Sequence, residues 1–325
     1  MQRKFDVLVV GEINPDIIVT AKDPVPVFGQ AEKYVDGIQL AVGGSSAIFA
    51  CGASRLGLKV AMVGVVGDDF FGHYMLGALE DHGVDVSACI VAKNQATGIG
   101  LVLSGPKDRA ILTAKGTIGA LTVSQVPDSM LSNSRHLHVG SYYLLEAAQP
   151  QLPDLFRKAI GMGLTTSFDC NWDPLELWDD RIDALLQQTD IFFPNAAEAE
   201  HLTRESDHLE AARQLLYRGG LGPRGVDAVS ITVALKQGPF GALGLTRQEA
   251  LHVAAMAVDP VDTTGAGDSF DAGFLYGWLQ GLTLSRCLEI ASICGSQSTL
   301  GKGGTGSQPT VDELLSFPAP QVSRL

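Results

Sequence analysis

Short, unbroken apolar runs recur along the chain at Val7–Val10, Val60–Val66, Leu137–Val139, Thr166–Asp169, Ile191–Pro194 and Val229–Leu235. Runs of this length, rich in Val and Ile, predict strands buried on both faces of a parallel sheet. Between them, helical apolar patterns predict helices over Ser45–Leu56, Phe71–His82, Pro150–Gly161, Ala196–Thr203, Leu209–Gly219 and Ser269–Gly281. This alternation predicts an α/β fold, with a mostly parallel central sheet between helices on both faces. In such a sheet ligands belong at the carboxyl ends of the strands.

Two regions break the rhythm. Residues 12–40 and 96–113 hold alternating and turn-rich stretches, among them Ile17-Ile18-Val19, Lys33-Tyr34-Val35, Ile99–Leu103 and Arg109–Leu112. They predict a small separate sheet inserted into one domain that spans residues 1–325. Gly219–Gly225 reads as a Gly-Pro surface loop, and the residues after Phe317 read as a loose tail. No repeat or low-complexity tract interrupts this organisation.

With 46% hydrophobic and 18% charged residues, the chain has the means to bury a sizeable core. A formal net charge of −13 argues against nucleic acid as a general partner, because phosphate backbones reward basic surfaces. The same charge is compatible with ATP held in a local pocket of amides. The five cysteines, Cys51, Cys89, Cys170, Cys287 and Cys294, are scattered and lack CxxC spacing. They suit buried thiols in a reducing compartment, with Cys294 in the core of an apolar helix. Arg3-Lys4 precede only a short apolar strand closed by Gly11-Glu12, which does not make a signal peptide. No run reaches membrane-spanning length. The expectation is a cytoplasmic protein with no membrane partner.

The chemistry concentrates in Asp262-Thr263-Thr264-Gly265-Ala266-Gly267-Asp268, which opens into Ser269-Phe270-Asp271-Ala272-Gly273-Phe274. A glycine-rich turn feeding a helix N-terminus aims several N–H groups and the positive helix end at one point, and that point suits an anion. Asp268 lies inside this positive turn, so its role is not anion binding. A carboxylate beside an anion hole is what phosphoryl transfer to a hydroxyl needs. Asp268 is thus the candidate general base, and Gly265, Ala266 and Gly267 are the candidate amide donors. No Walker A motif or protein-kinase signature set is present.

Asp262–Phe274 resembles the second signature of the ribokinase-like (PfkB) carbohydrate kinases. Gly43-Gly44-Ser45-Ser46-Ala47, continued through Arg55-Leu56-Gly57 and Val63–Gly72, resembles their first signature. The likeness runs from Val9 to about Gly304, with the landmarks in family order. It implies a ribokinase-like three-layer fold in which the small sheet is a lid over the sugar site, and in some members a homodimer paired through lids. The implied activity is transfer of the γ-phosphoryl group of ATP, with Mg2+, to a hydroxymethyl group of a sugar or sugar-like substrate. A nucleoside kinase and a catalytically silent sugar-binding protein are the competing readings.

Around Asp268 the remaining candidates divide by substrate. Asn195 and Glu198, at the end of the Ile191–Phe193 run, match both a helix capping box and the Asn-x-x-Glu motif that helps such kinases place Mg2+ and phosphate; both readings stand. Lys236, Gly238 and Gly241 follow a strand, and read either as a nucleotide-side turn or as an ordinary hairpin turn with a solvated lysine. Asn14 and Asp16 alternate with their neighbours and read either as two side chains facing one pocket, where Asp and Asn suit paired sugar hydroxyls, or as an Asn-Pro-Asp turn. Gly43 and Gly44 would bring backbone close to that sugar, and Ser45 offers a hydroxyl.

Here the chain departs from common relatives, which carry Asn at the positions of Ser45 and Ile48. Asp173 replaces an arginine that an acidic acceptor would favour, and Asp169 and Asn171 beside it read either as pocket residues or as a strand-end Asx turn. Ser46 reads as a helix start. Arg109 reads as an exposed strand arginine before a contact for a sugar phosphate or carboxylate, and His136 and His138, flanking a strand, read as packing or surface residues. The resemblance also implies a possible K+ site at Asp262 and Thr264.

Overall fold

The computed structural model describes residues 3–105, 109–220, 222 and 231–325. Its chain opens with β1 (Phe5–Val10), β2 (Asn14–Thr20), β3 (Gly37–Gly43), α1 (Ser45–Arg55), β4 (Val60–Val63), β5 (Val65–Gly67), α2 (Phe70–Asp81) and β6 (Ile90–Ala92). It continues through β7 (Ile99–Ser104), β8 (Arg109–Ala114), α3 (Asp128–Ser132), β9 (Ser134–Val139), α4 (Leu152–Gly161) and β10 (Thr165–Phe168). Next come α5 (Asp183–Leu186), β11 (Ile191–Phe192), α6 (Ala196–Thr203), α7 (His208–Arg218) and β12 (Thr232–Lys236). The last elements are β13 (Ala242–Leu245), β14 (Ala250–Val253), α8 (Ala266–Leu279), α9 (Leu284–Ser298), α10 (Val311–Leu314) and β15 (Val322–Arg324).

The main sheet runs in the order β15-β14-β13-β12-β11-β10-β9-β1-β4. From β4 to β12 every pairing is parallel, and the last three strands add on antiparallel. The cause is local. Each parallel strand is followed by a connection long enough to cross back over a face, whereas β12 and β13 are joined by the tight turn Gly238–Phe240. That turn closes because Gly241 adopts φ 97° and lies so near the next strand that a Cβ there would sit 1.9 Å from the Val253 carbonyl.

Two buried clusters flank the sheet. One face carries Leu131, Phe156, Leu185, Ala199 and Leu215 from α3–α7. The other carries Phe49, Met75, Phe274 and Leu288 from α1, α2, α8 and α9. The expected three layers follow directly, since strands with both faces buried need apolar helices on each side.

The expected small sheet is also present, ordered β3-β2-β7-β8. Register divides its two faces: Ile18, Ala41 and Val102 form a buried cluster on the inner one. Ile17, Leu101 and Leu112 share the outer one.

Three expectations change. The run Val60–Val66 is two strands, because β5 leaves the main sheet to pair with β6. At the break, a side chain on Gly64 would meet the Gly11 carbonyl at 2.6 Å, so the chain there has no room for anything larger than glycine. The segment after Phe317 is not a loose tail throughout: Val322–Arg324 pairs with β14. His136 and His138 lie within β9, both buried, with Ser167 bonded to each ring. Val229 and Ser230 of the expected sixth strand, and residues 221 and 223–225 of the expected loop, lie outside the described residues.

Candidate active site

The carboxyl ends of five parallel strands deliver polar side chains to one region. Glu12 follows β1, Ser141 follows β9, Asp169 and Asn171 follow β10, Asn195 follows β11, and Lys236 ends β12. Helix α8 brings its N-terminus to the same region, with Gly265 as N-cap in the left-handed conformation (φ 73°). A Cβ on Gly265 would lie 2.7 Å from the Gly304 backbone and 2.8 Å from Ile48. Glycine is therefore required twice over, by conformation and by space. Ile48, the position where relatives carry Asn, is buried and packs against this turn. The Ala266 amide donates to the Thr263 carbonyl at 3.3 Å, while Gly267 stacks over the Lys236 side chain.

Asp268 occupies the first turn of α8. The residue is half-buried. Burial, reinforced by the Asp169 charge, pushes its carboxyl well above the usual carboxylate range, against the opposing pull of Lys236 and a hydrogen bond from Ser45. Lys236 does not stand free in the cleft. Its ammonium contacts Asp169 at 2.5 Å and Asp271 at 3.1 Å, and these neighbours hold it firmly charged despite burial. Asp271 lies one helical turn beyond Asp268, and the sequence reading gave it no role. The i, i+3 spacing was the available signal, since it puts both carboxylates on one face of the helix.

Asn195 caps α6 and forms the full reciprocal capping box with Glu198: Asn195 N–H donates to Glu198 Oε2 at 2.9 Å, and Glu198 N–H donates to Asn195 Oδ1 at 2.9 Å. The capping reading is thus realised. Glu198 is nevertheless buried, and desolvation followed by repulsion from Asp169 pushes it up to about 7. Its carboxylate, Asp169 and Cys170 present ligand atoms within 4.8 Å of one another. A hard dication that keeps its water and phosphate ligands fits two such carboxylates; the thiol adds nothing for it.

On the acceptor side Asn14 and Asp16 lie on the inner face of the small sheet, both buried. Gly43 and Gly100 make room for Asp16: a Cβ on either would come within 2.4 Å of its carboxyl group. Gly44, at φ 76°, clears Asn14 in the same way, with a hypothetical Cβ 2.8 Å from Oδ1. The glycine pair thus first accommodates the two polar side chains that sequence parity placed together. Burial raises Asp16 to about 7, although Arg109 opposes the shift.

Arg109 is a correction. It is exposed along β8, as expected, yet its guanidinium crosses to donate to Thr264 Oγ1 at 2.8 Å, tying the small sheet to the glycine turn. Asp262 accepts from the Thr264 amide and hydroxyl and from the Gly303 amide. With these oxygens engaged, an ion at Asp262 and Thr264 would depend on main-chain carbonyls.

Two further expectations shift. Ser46 does more than start a helix, for its hydroxyl donates to Glu12 at 2.6 Å. Asp173 gives no information about the acceptor, because its carboxylate caps the amides of Leu175, Leu177 and Trp178 in its own loop. Ser141 went unnoticed in the sequence, where its only signal is its place just after a strand's carboxyl end.

These features define a class: a three-layer α/β protein whose parallel strand ends bring polar side chains together beside a helix that opens on a left-handed glycine and carries an aspartate in its first turn. The sequence matches pfkB family carbohydrate kinase over residues 4–311. It is 30% identical over 289 residues to the 2-dehydro-3-deoxygluconokinase of Bacillus subtilis, covering 84% of this chain and 85% of that one. It is 29% identical over 316 residues to the ATP-dependent ribose-1-phosphate kinase of Halopiger xanaduensis, covering 96% and 97%. Among solved structures, a candidate ribokinase II from E. coli in complex with ATP and Mg2+ superposes with a TM-score of 0.82 at 25% identity, covering 96% of this chain and 98% of that one. The chain belongs to the pfkB family of carbohydrate kinases and is a phosphotransferase with an alcohol acceptor.

Proposed function

We propose that this kinase transfers the γ-phosphoryl group of ATP to a hydroxymethyl group of a sugar or sugar-like acceptor, with Asp268 as general base. The observation that carries the reading is the place of Asp268 in the first turn of α8, three residues after its left-handed Gly265 cap. As the acceptor oxygen bonds to phosphorus and the bond to ADP breaks, Asp268 takes the hydroxyl proton and the Gly265 and Gly267 amides face the charge on the transferring group. Glu198 and Asn195 would hold Mg2+ through water, and the ion would offset negative charge on the phosphates.

Lys236 fits a supporting role, since its ammonium is committed to carboxylates and acts on charge balance beneath the turn. Gly238 and Gly241 keep the β12–β13 turn tight at the same sheet end, where a nucleotide approaches. Asn14 and Asp16 are proposed to bind acceptor hydroxyls from the inner face of the small sheet, which serves as a lid, with Gly43, Gly44 and Ser45 along its edge. Asp262 and Thr264 shape the turn, and a K+ ion beside them would act on that shape. The unpaired cysteines support work in a reducing cytoplasm. Among the described residues no helix is long and apolar enough to cross a membrane.

Replacing Asp268 by Asn should lower turnover by roughly 10²- to 10⁴-fold, the usual worth of a positioned base. ATP affinity should be largely kept. ADP release and nucleotide titration measure the two separately, and a variant with near-native turnover would remove Asp268 from the mechanism.

A further inference from the structure

We infer that Gln308 is a positioning residue, a buried amide that fixes the helix turn carrying Asp268 against the helix turn that follows Gly43 and Gly44. The inference rests on Asp268 being the base. It begins with the short segment 303–308, which grips the glycine turn along its length. The Gly303 N–H donates to Asp262 Oδ2 at 2.9 Å, at the start of that turn. In the middle, a Cβ on Gly265 would lie 2.7 Å from the Gly304 Cα. Gln308 closes the far end, where its Nε2 lies 3.0 Å from the Oγ of Ser269, the residue directly after Asp268.

The same nitrogen lies 3.0 Å from the Ile48 carbonyl oxygen, in the first turn of α1. That oxygen can only accept, so the amide atom facing it must be the nitrogen. Its two protons then go one to each helix, to the Ile48 carbonyl and to Ser269 Oγ. The two ends correspond: Ile48 is four residues after the Gly44 cap of α1, and Ser269 is four after the Gly265 cap of α8. The Ile48 side chain meets the same turn, since a Cβ on Gly265 would lie 2.8 Å from its Cγ2.

Helix α1 makes room for this amide at Gly52, where a Cβ would lie 2.8 Å from Gln308 Nε2. Glycine inside a helix is destabilising, and here the amide is what needs the space. Gln308 is 2% exposed, and its Oε1 accepts no hydrogen bond among the described residues. A buried acceptor left unmet weakens a fold, and an apolar side chain of similar length would avoid it. Such a side chain could not donate to two helix turns at once. The amide therefore sets the register between α1, on the acceptor side, and the base on α8.

The test uses the full-length protein and two variants, Gln308→Met and Ser269→Ala. Met keeps the length of the side chain and removes both hydrogen bonds together with the unmet acceptor, so the denaturant midpoint should stay close to native. Ser269→Ala removes only the α8 end of the bridge. With ribose and 2-dehydro-3-deoxygluconate as probe acceptors, each variant should cut kcat roughly 10- to 100-fold. KM for ATP and for the acceptor should change little, because a displaced base loses contact with the transition state rather than with the bound substrates. The ADP released should also exceed the sugar phosphate formed, as water competes with a misplaced acceptor.

The double variant should lose no more turnover than the weaker of the two single variants, since both changes break one bridge. Native kcat in either folded variant overturns the inference, as do losses that multiply in the double variant. A lowered denaturant midpoint at native kcat would also overturn it, leaving Gln308 as packing alone. Full turnover in Asp268→Asn would instead fail the reading of the base, whatever Gln308 does to the product ratio.

Discussion

At the scale of single residues, the site is made of carboxylates kept from water, and Asp16 gives the sharpest consequence. Its place beside Asn14 was legible, because strand parity alone puts the two on one face. Its burial was not, since that depends on Gly43 and Gly100 arriving from strands far away in sequence. Burial raises it from 3.8 in an unfolded chain to about 7 here, so the folded protein favours the neutral acid. Native stability from this group is therefore full at low pH and declines as pH rises from about 4 to about 7.

An Asp16→Asn variant removes that loss, which amounts to a few kcal/mol at most. Its melting temperature should match the native protein near pH 4 and exceed it at pH 8, while acceptor phosphorylation falls. Thermal melts across that range decide the matter. A difference independent of pH would mean that Asp16 is ionised throughout.

At the scale of elements, the sequence announces what depends on local pattern and hides what depends on partners. The parallel strands declared themselves as Val- and Ile-rich runs. β13, β14 and β15 did not, being short pieces whose strand character comes from pairing on the sheet edge. Arg109 looked like an ordinary exposed residue because its partner, Thr264, is 155 positions away.

The glycine turn before α8 was fully legible, and its energetics separate into two parts. Gly265 and Gly281 both have φ above 70°, but a side chain at Gly281 meets open space while one at Gly265 meets Gly304 and Ile48. Gly281→Ala should thus cost only the left-handed penalty, about 1–2 kcal/mol. Gly265→Ala should cost clearly more and lower turnover as well, because the amides beside Asp268 move with the turn. Denaturant unfolding of both variants alongside ADP release measures the contrast. Equal losses of stability would show that the turn yields and that crowding plays no part.

At the scale of the whole molecule, the small sheet closes one face and leaves the other unsatisfied. Its inner face meets the glycine turn through Arg109 and buries Ile18, Ala41 and Val102. The outer face aligns Ile17 with Leu101 and Leu112, and Val19 with Ile38 and Leu103, an apolar surface from which Ile38 and Leu112 stand 68% and 58% exposed. Water disfavours a contiguous surface of this kind, and an identical face on a second copy is the simplest cover for it. The expected solution state is a dimer paired lid to lid. Sedimentation velocity should report a dimer for the native chain and a monomer for an Ile38→Glu, Leu112→Glu double variant. Leu315→Glu, at an exposed leucine on the opposite end of the sequence, should leave the dimer intact. A native chain that sediments as a monomer at every concentration would leave the outer lid face facing water and end the dimer proposal.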